Sequence, residues 1–66
     1  MTVWVNVEER LPEVLEDVLI KIEFNNSVNI ESGWYKGDGL WVGCWYTTYN
    51  KPDSVYKVTA WAPIPQ

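Results

Sequence analysis

Apolar residues recur at every second position over several short stretches of this chain, the period of a strand with one buried face. Val3, Val5 and Val7 alternate with Trp4 and Asn6, which predicts a short strand at the start. The acidic segment Glu8, Glu9, Arg10, Leu11, Pro12, Glu13 interrupts the alternation. Pro12 offers no backbone donor, so a connection is expected there, with one helical turn from Pro12 to Glu16. Alternation returns from Asp17 to Phe24, where Val18, Ile20, Ile22 and Phe24 fall on one face and Lys21 and Glu23 on the other. Asn25, Asn26 and Ser27 tolerate turn conformations and lead into a strand from Val28 to Lys36, with Val28, Ile30 and Trp34 on one face. Gly37, Asp38 and Gly39 predict a tight turn, because two glycines supply positive φ without steric cost.

The next strand, Leu40 to Tyr46, has Leu40, Val42, Cys44 and Tyr46 on one face and Trp41 and Trp45 around Gly43 on the other. Neither face is polar, so cover on both sides is expected. A polar loop from Thr47 to Ser54 precedes a last strand from Val55 to Trp61. Ala62, Pro63, Ile64 and Pro65 then predict an extended, polyproline-like exit outside any ladder. The fold class is mainly β: a small antiparallel sheet or open barrel of about five short strands, with at most one or two helical turns. Residues 1–66 read as a single small β domain, with no internal repeat, low-complexity segment or linker.

A chain of 66 residues has little core to work with, and its stability is expected to be marginal. Aromatic residues make up 15% of it, including five Trp and four Tyr, and these supply the large buried surfaces. The net charge of −4 is a poor match for phosphate backbones, so direct nucleic-acid binding is not expected and a basic protein partner fits better. One cysteine and no histidine exclude an internal disulfide and a zinc site, and leave a Ser or Cys nucleophile without its usual base. Cys44 in its apolar strand is expected to be a small buried hydrophobe with an inert thiol. No charged leader with an apolar run opens the chain, and no stretch approaches membrane-spanning length. A protein of the reducing cytoplasm, without membrane contact, is expected.

Both ends carry a further pattern. Trp4, Val7, Leu11 and Pro12 match W-x-x-V-x-x-x-L-P, and Val58, Thr59, Trp61, Pro63 and Pro65 match V-T-x-W-x-P-x-P. With Val18, Leu19 and Ile20, and Gly33, Trp34 and Tyr35 through Trp41, the chain resembles the family of unknown function numbered 551, small proteins found mostly in bacteriophage and prophage genomes. The chain departs from that pattern at Ala60, where the family usually has His. The resemblance implies a phage origin, with the host cytoplasm as the place of action, and it implies no mechanism. Read physically, Trp4 and Trp61 would flank one another if the terminal strands pair, with the Ala62 to Pro65 tail across an indole face.

Two groups of side chains stand out as candidate partner-binding residues. Glu13, Glu16 and Asp17, with Glu8 and Glu9, form an acidic cluster that Asp38, Asp53 and Glu31 would extend over one side. As a solvated connection it keeps a sheet edge from aggregating; as a site it meets a basic groove. Trp45, Tyr49 and Tyr56 lie near the polar loop, and such residues dominate interface hot spots, whereas Trp34 and Trp41 fit the core better. The expected function is that of a non-enzymatic accessory protein without cofactor, which binds a host protein such as a defence nuclease complex or transcription machinery and inhibits or redirects it. Two alternatives remain open: a self-associating structural or scaffold protein, and a binder of a nucleotide or sugar between aromatic rings.

Overall fold

The computed structural model describes residues 3–64 and contains no helix. Its strands are β1 (Val5–Asn6), β2 (Val18–Phe24), β3 (Ser27–Gly37), β4 (Leu40–Gly43), β5 (Thr48–Tyr49) and β6 (Lys57–Pro63). They form one open antiparallel sheet in the order β1-β6-β2-β3-β4-β5. The mainly β expectation holds, with one strand more than the sequence pattern predicted.

The alternation in β2 does what its period requires. Val18, Ile20 and Ile22 are buried on the inner face, and Leu19, Lys21 and Glu23 point outward. Register places Trp61 of β6 opposite Ile20 and Val5 of β1 opposite Trp61, so the two ends of the chain meet on the same inner face. On the other side Tyr35 of β3 faces Trp41 of β4, with ring centroids 5.0 Å apart. Val18, Ile20, Ile22, Tyr35, Trp41, Val58 and Trp61 make the core, and Trp41 and Ile20 are among its most fully enclosed side chains.

The inner face is roofed by the connection between β1 and β2. Trp61 donates its indole N–H to the Arg10 carbonyl at 2.9 Å, and the Arg10 guanidinium stands 5.7 Å from the Trp61 ring. Pro12 in the same connection is buried, and the Leu15 N–H then reaches the Tyr35 carbonyl at 3.0 Å. The helical turn expected from Pro12 to Glu16 is absent. Leu15 has φ 70°, incompatible with a right-handed helix, and Val14 forms a parallel bridge with Tyr35, so a backbone bond to β3 replaces the helical one.

The turn at Gly37, Asp38 and Gly39 is as predicted, with φ of 103°, 55° and 80°. β4 stops at Gly43 rather than Tyr46, because the chain turns there: Tyr46 donates to the Gly43 carbonyl and Gly43 to the Thr47 carbonyl, both at 2.9 Å. Both faces of β4 are covered as expected, with Trp41 and Val42 buried on opposite sides, while Trp45 and Tyr46 beyond the turn are 83% and 80% exposed. The predicted loop from Thr47 to Ser54 contains β5, paired with β4 through Trp41 opposite Tyr49. The carboxamide of Asn50 then acts as a one-residue strand: it accepts from the Val58 N–H at 2.7 Å and donates to the Val58 carbonyl at 3.3 Å.

The last strand runs later than expected, from Lys57 to Pro63, so the exit predicted as polyproline is in the ladder. Ala62 pairs with Leu19 and Pro63 with Val18. In an antiparallel ladder only alternate residues turn their N–H toward a given neighbour, and the side on which Pro63 lacks a donor faces away from β2. Pro65 lies outside the described residues. The terminal strands pair as anticipated, while the two indoles take different neighbours: Lys21 Nζ stands 4.6 Å from the Trp4 ring, and Trp61 takes Arg10.

Candidate functional site

Antiparallel partners share a face, so the register of β3 fixes which of its side chains look inward. Ile20 faces Glu31, Val18 faces Gly33, and Gly33 faces Gly43. A carboxylate thus projects onto the inner face beside two glycines that leave room for it. A Cβ at Gly43 would collide with the Glu31 carboxylate and approach the Tyr49 ring at 2.9 Å. One at Gly33 would run into the Val42 carbonyl and stand 2.8 Å from Ile20 Cδ1. Both positions require glycine for close approach.

Glu31, half-buried, is held from two directions. The Tyr49 hydroxyl donates to Oε1 at 2.8 Å, and the Cys44 thiol donates to Oε2 at 3.5 Å. Burial, followed by this hydrogen bond to a carboxylate, pushes the Tyr49 phenol up to about 12. Desolvation, followed by the same carboxylate, also raises the Cys44 thiol above its ordinary value. Cys44 is exposed, contrary to the buried position its strand pattern predicted, because β4 ends one residue before it. The raised pKa favours the protonated thiol, the weaker nucleophile. Proximity of Cys44, Glu31 and Tyr49 therefore builds a proton-holding strut rather than a nucleophile.

Next to this strut is the turn from Cys44 to Thr47. Tyr46 has φ 63° and meets Trp34 edge to face at 6.0 Å, while Trp45 is the most exposed large apolar side chain described. Trp34, expected in the core, is half-buried on the outer face instead, where β3 places it opposite Val42. Tyr49 is half-buried with its hydroxyl engaged, and Tyr56 stacks on Phe24 at 4.5 Å. The three candidate aromatics thus occupy three different settings, and only Trp45 is presented freely.

The acidic candidates divide as well. Glu13, Glu16 and Asp17 are exposed on the roofing connection, which contacts β3 at Tyr35. The Tyr35 hydroxyl accepts from the Gly39 N–H at 2.9 Å, so Asp38 lies at that same end of the sheet. Asp53 is exposed in the connection between β5 and β6. Glu31, a suggested extension of the patch, projects onto the inner face and is engaged by Tyr49 and Cys44 instead. Nothing in the sequence of β3 alone marks it, because its role depends on the pairing of Gly33 with Gly43.

Among the described residues no group of three or more His, Cys, Asp or Glu side chains is arranged to hold a metal ion. No helix is long and apolar enough to cross a membrane. An open hollow of about 290 Å³ is lined by Asn6, Val7, Glu8, Val58 and Thr59, with no aromatic ring in its wall. A family model described as "Protein of unknown function (DUF551)" matches residues 3–66. The chain belongs to this family. No curated protein and no solved structure matches it. Within this DUF551 member, the residues that carry the family resemblance have mostly structural work. Trp61 holds the roof, Pro12 within the roof is buried, and Val58 receives the Asn50 carboxamide.

Proposed function

We propose that this chain is an accessory protein of phage or prophage origin that acts by binding, in the host cytoplasm, a host protein with a basic surface, and inhibits or redirects it. Defence nuclease complexes and transcription machinery are the partner classes that carry basic grooves. The supporting observation is the exposed aromatic turn: Trp45 and Tyr46 project from a turn pinned by two backbone hydrogen bonds and braced on Trp34. A chain this short gains most by burying its large rings, and it leaves these two outside. A preorganised aromatic anchor loses little entropy on docking. Glu13, Glu16, Asp17 and Asp38, gathered at one end of the sheet, would steer a basic partner into encounter. A ring-lined ligand site is less well supported, since the hollow contains no ring.

The test starts from capture out of host lysate with tagged protein, followed by identification and purification of the captured protein. Titration calorimetry of the purified pair then compares wild type with Trp45→Ala and with the triple variant Glu13→Lys, Glu16→Lys, Asp17→Lys at low and high salt. Trp45→Ala is expected to weaken binding roughly tenfold or more at both salt concentrations. Charge reversal is expected to weaken it mainly at low salt. A purified pair whose affinity neither variant alters would show that the proposed surface is wrong.

A further inference from the structure

We propose that the Ser27–Glu31 edge of β3 is a pairing surface for a second copy of this chain. The inference is independent of the host-binding reading. β3 runs from Ser27 to Gly37, yet β4 pairs only with its second half, from Gly33 to Gly37. Among the described residues no strand lies along the other side of Ser27 to Ser32, which pair with β2 alone.

The direction of the backbone groups on that edge follows from the hairpin. Asn25 and Asn26 have φ of 50° and 69°, a two-residue turn of the primed type, so the flanking Phe24 and Ser27 form a hydrogen-bonded pair. Alternation then makes Asn29 with Ile22 and Glu31 with Ile20 hydrogen-bonded pairs, and turns the N–H and C=O of Val28 and Ile30 outward. The rest of the sheet keeps the same phase. It leaves the backbone of Val58, opposite Ile22, directed away from β2, where the Asn50 side chain takes it.

Every other edge is guarded. β1 and β5 have two residues each, Asn50 caps the Val58 backbone, and Pro63 ends β6. Short strands, side-chain caps and proline are the usual means of blunting an edge, as are lysines and bulges. Ser27 to Ile30 has none of these, and the one guard on this edge is an inward-pointing charge at its far end. That charge, Glu31, is turned inward to Tyr49 and Cys44. Val28 and Ile30 are 52% and 56% exposed on the outer face.

The edge is also complementary to itself. A two-fold axis at Asn29 pairs Val28 of each copy with Ile30 of the other, Asn29 with Asn29, and Ser27 with Glu31. Apolar side chains then meet on the outer face and polar ones on the inner, and no like charges are opposed. The two outward-facing residues of each copy form hydrogen-bonded pairs, and the pairing ends before Ser32. Antiparallel addition joins the two sheets into one.

The test is sedimentation equilibrium of the full chain across a concentration series up to about 100 µM, with Ile30→Lys and Ile30→Pro as comparisons. Proline at 30 removes only an outward donor and leaves the pairing with β2 intact, so the monomer fold, checked by circular dichroism, is expected to survive. Wild type is expected at about 15 kDa, twice the 7.7 kDa of the chain, with both variants raising the dissociation constant tenfold or more. Hydrogen exchange at Val28 and Ile30 is expected to slow with concentration in wild type alone. A wild type that stays monomeric throughout would overturn the proposal. So would a dimer whose dissociation constant Ile30→Pro leaves unchanged, or one whose Val28 and Ile30 amides exchange freely.

Discussion

Removal of the Tyr49 hydroxyl tests whether the strut beside Gly43 holds the β4–β5 end of the sheet. In Tyr49→Phe the ring remains packed and only the 2.8 Å bond to Glu31 is lost. Two independent routes give its size. The phenol is displaced from 10.0 to about 12 by burial first and the Glu31 carboxylate second, so the whole shift, about 2.7 kcal/mol at about 1.36 kcal/mol per unit, is a ceiling on what the bond to Glu31 contributes. The ring is partly in solvent, so screening reduces that to about 1–2 kcal/mol. Hydrogen bonds to charged groups, measured by mutation, contribute about 1.5–3 kcal/mol before the same discount. Tyr49→Phe is therefore expected to lower stability at neutral pH by about 1–2 kcal/mol, or Tm by roughly 5–15 °C in a domain this small.

The pH dependence has a definite sign. The native pKa lies above the unfolded one, so the contribution is complete below about pH 10 and is lost as pH rises toward 12. Urea denaturation of both proteins across pH 7 to 12 gives the difference directly, because lysine titrations common to both cancel. The tyrosinate absorbance should show a step for Tyr49 near pH 12 in wild type that is missing from the variant. A difference below about 0.5 kcal/mol at pH 7, or one that stays constant to pH 12, would refute the strut.

Gly43→Ala places a methyl group against the Glu31 carboxylate and the Tyr49 ring, and is expected to cost about 1–3 kcal/mol by thermal denaturation; in the Tyr49→Phe background the cost should fall, a non-additivity that a double-mutant cycle reads. Asn50→Ala leaves the Val58 N–H and carbonyl without partners and also strains a residue at φ 68°, so a loss of about 2–3 kcal/mol is expected, with Asn50→Gly milder because it relieves the strain alone. Trp61→Phe removes the donor to the Arg10 carbonyl, and amide exchange at Leu15, whose N–H bonds Tyr35, should accelerate more than exchange at Ile20.

Strand β2 and the turn at Asp38 were legible because each depends on local chemistry: strict alternation in one, positive φ at two glycines in the other. Where one residue's fate depends on a distant partner, the local pattern misleads. Trp45 and Tyr46 look like strand because they are apolar, yet two backbone bonds to Gly43 and Thr47 turn the chain first. Thr48 and Tyr49 look like loop because their neighbours are polar, yet pairing with Val42 and Trp41 makes them a strand. Pro63 looks like a strand breaker, and it pairs because its missing donor falls on the side away from β2. Of the candidate residues, exposure was foreseen for the carboxylates, the alternation places Trp45 in a strand covered on both sides, and Tyr49 was misplaced for want of Glu31, a partner 18 positions away.

Strand β3 shows what these cases have in common. Its apolar residues Val28, Ile30 and Trp34 do share a face, and it is the outer one, because pairing with Ile20 and Val18 directs Glu31 and Gly33 inward. A strand normally buries its apolar side. Here the inner side of β3 carries Asn29, Glu31 and Gly33 before its one large ring, Tyr35, since the Gly33–Gly43 pair brings β4 close and the space over Gly43 is taken by the Glu31–Tyr49 contact. The core is completed by rings from both flanks, Trp41 and Tyr35 on one side and Trp61 on the other. Inversion of β3 thus follows from the same glycine pair that seats the strut. It leaves Val28 and Ile30 in solvent along an unguarded edge, so the device that closes the interior of the monomer also creates the surface on which a second chain would pair.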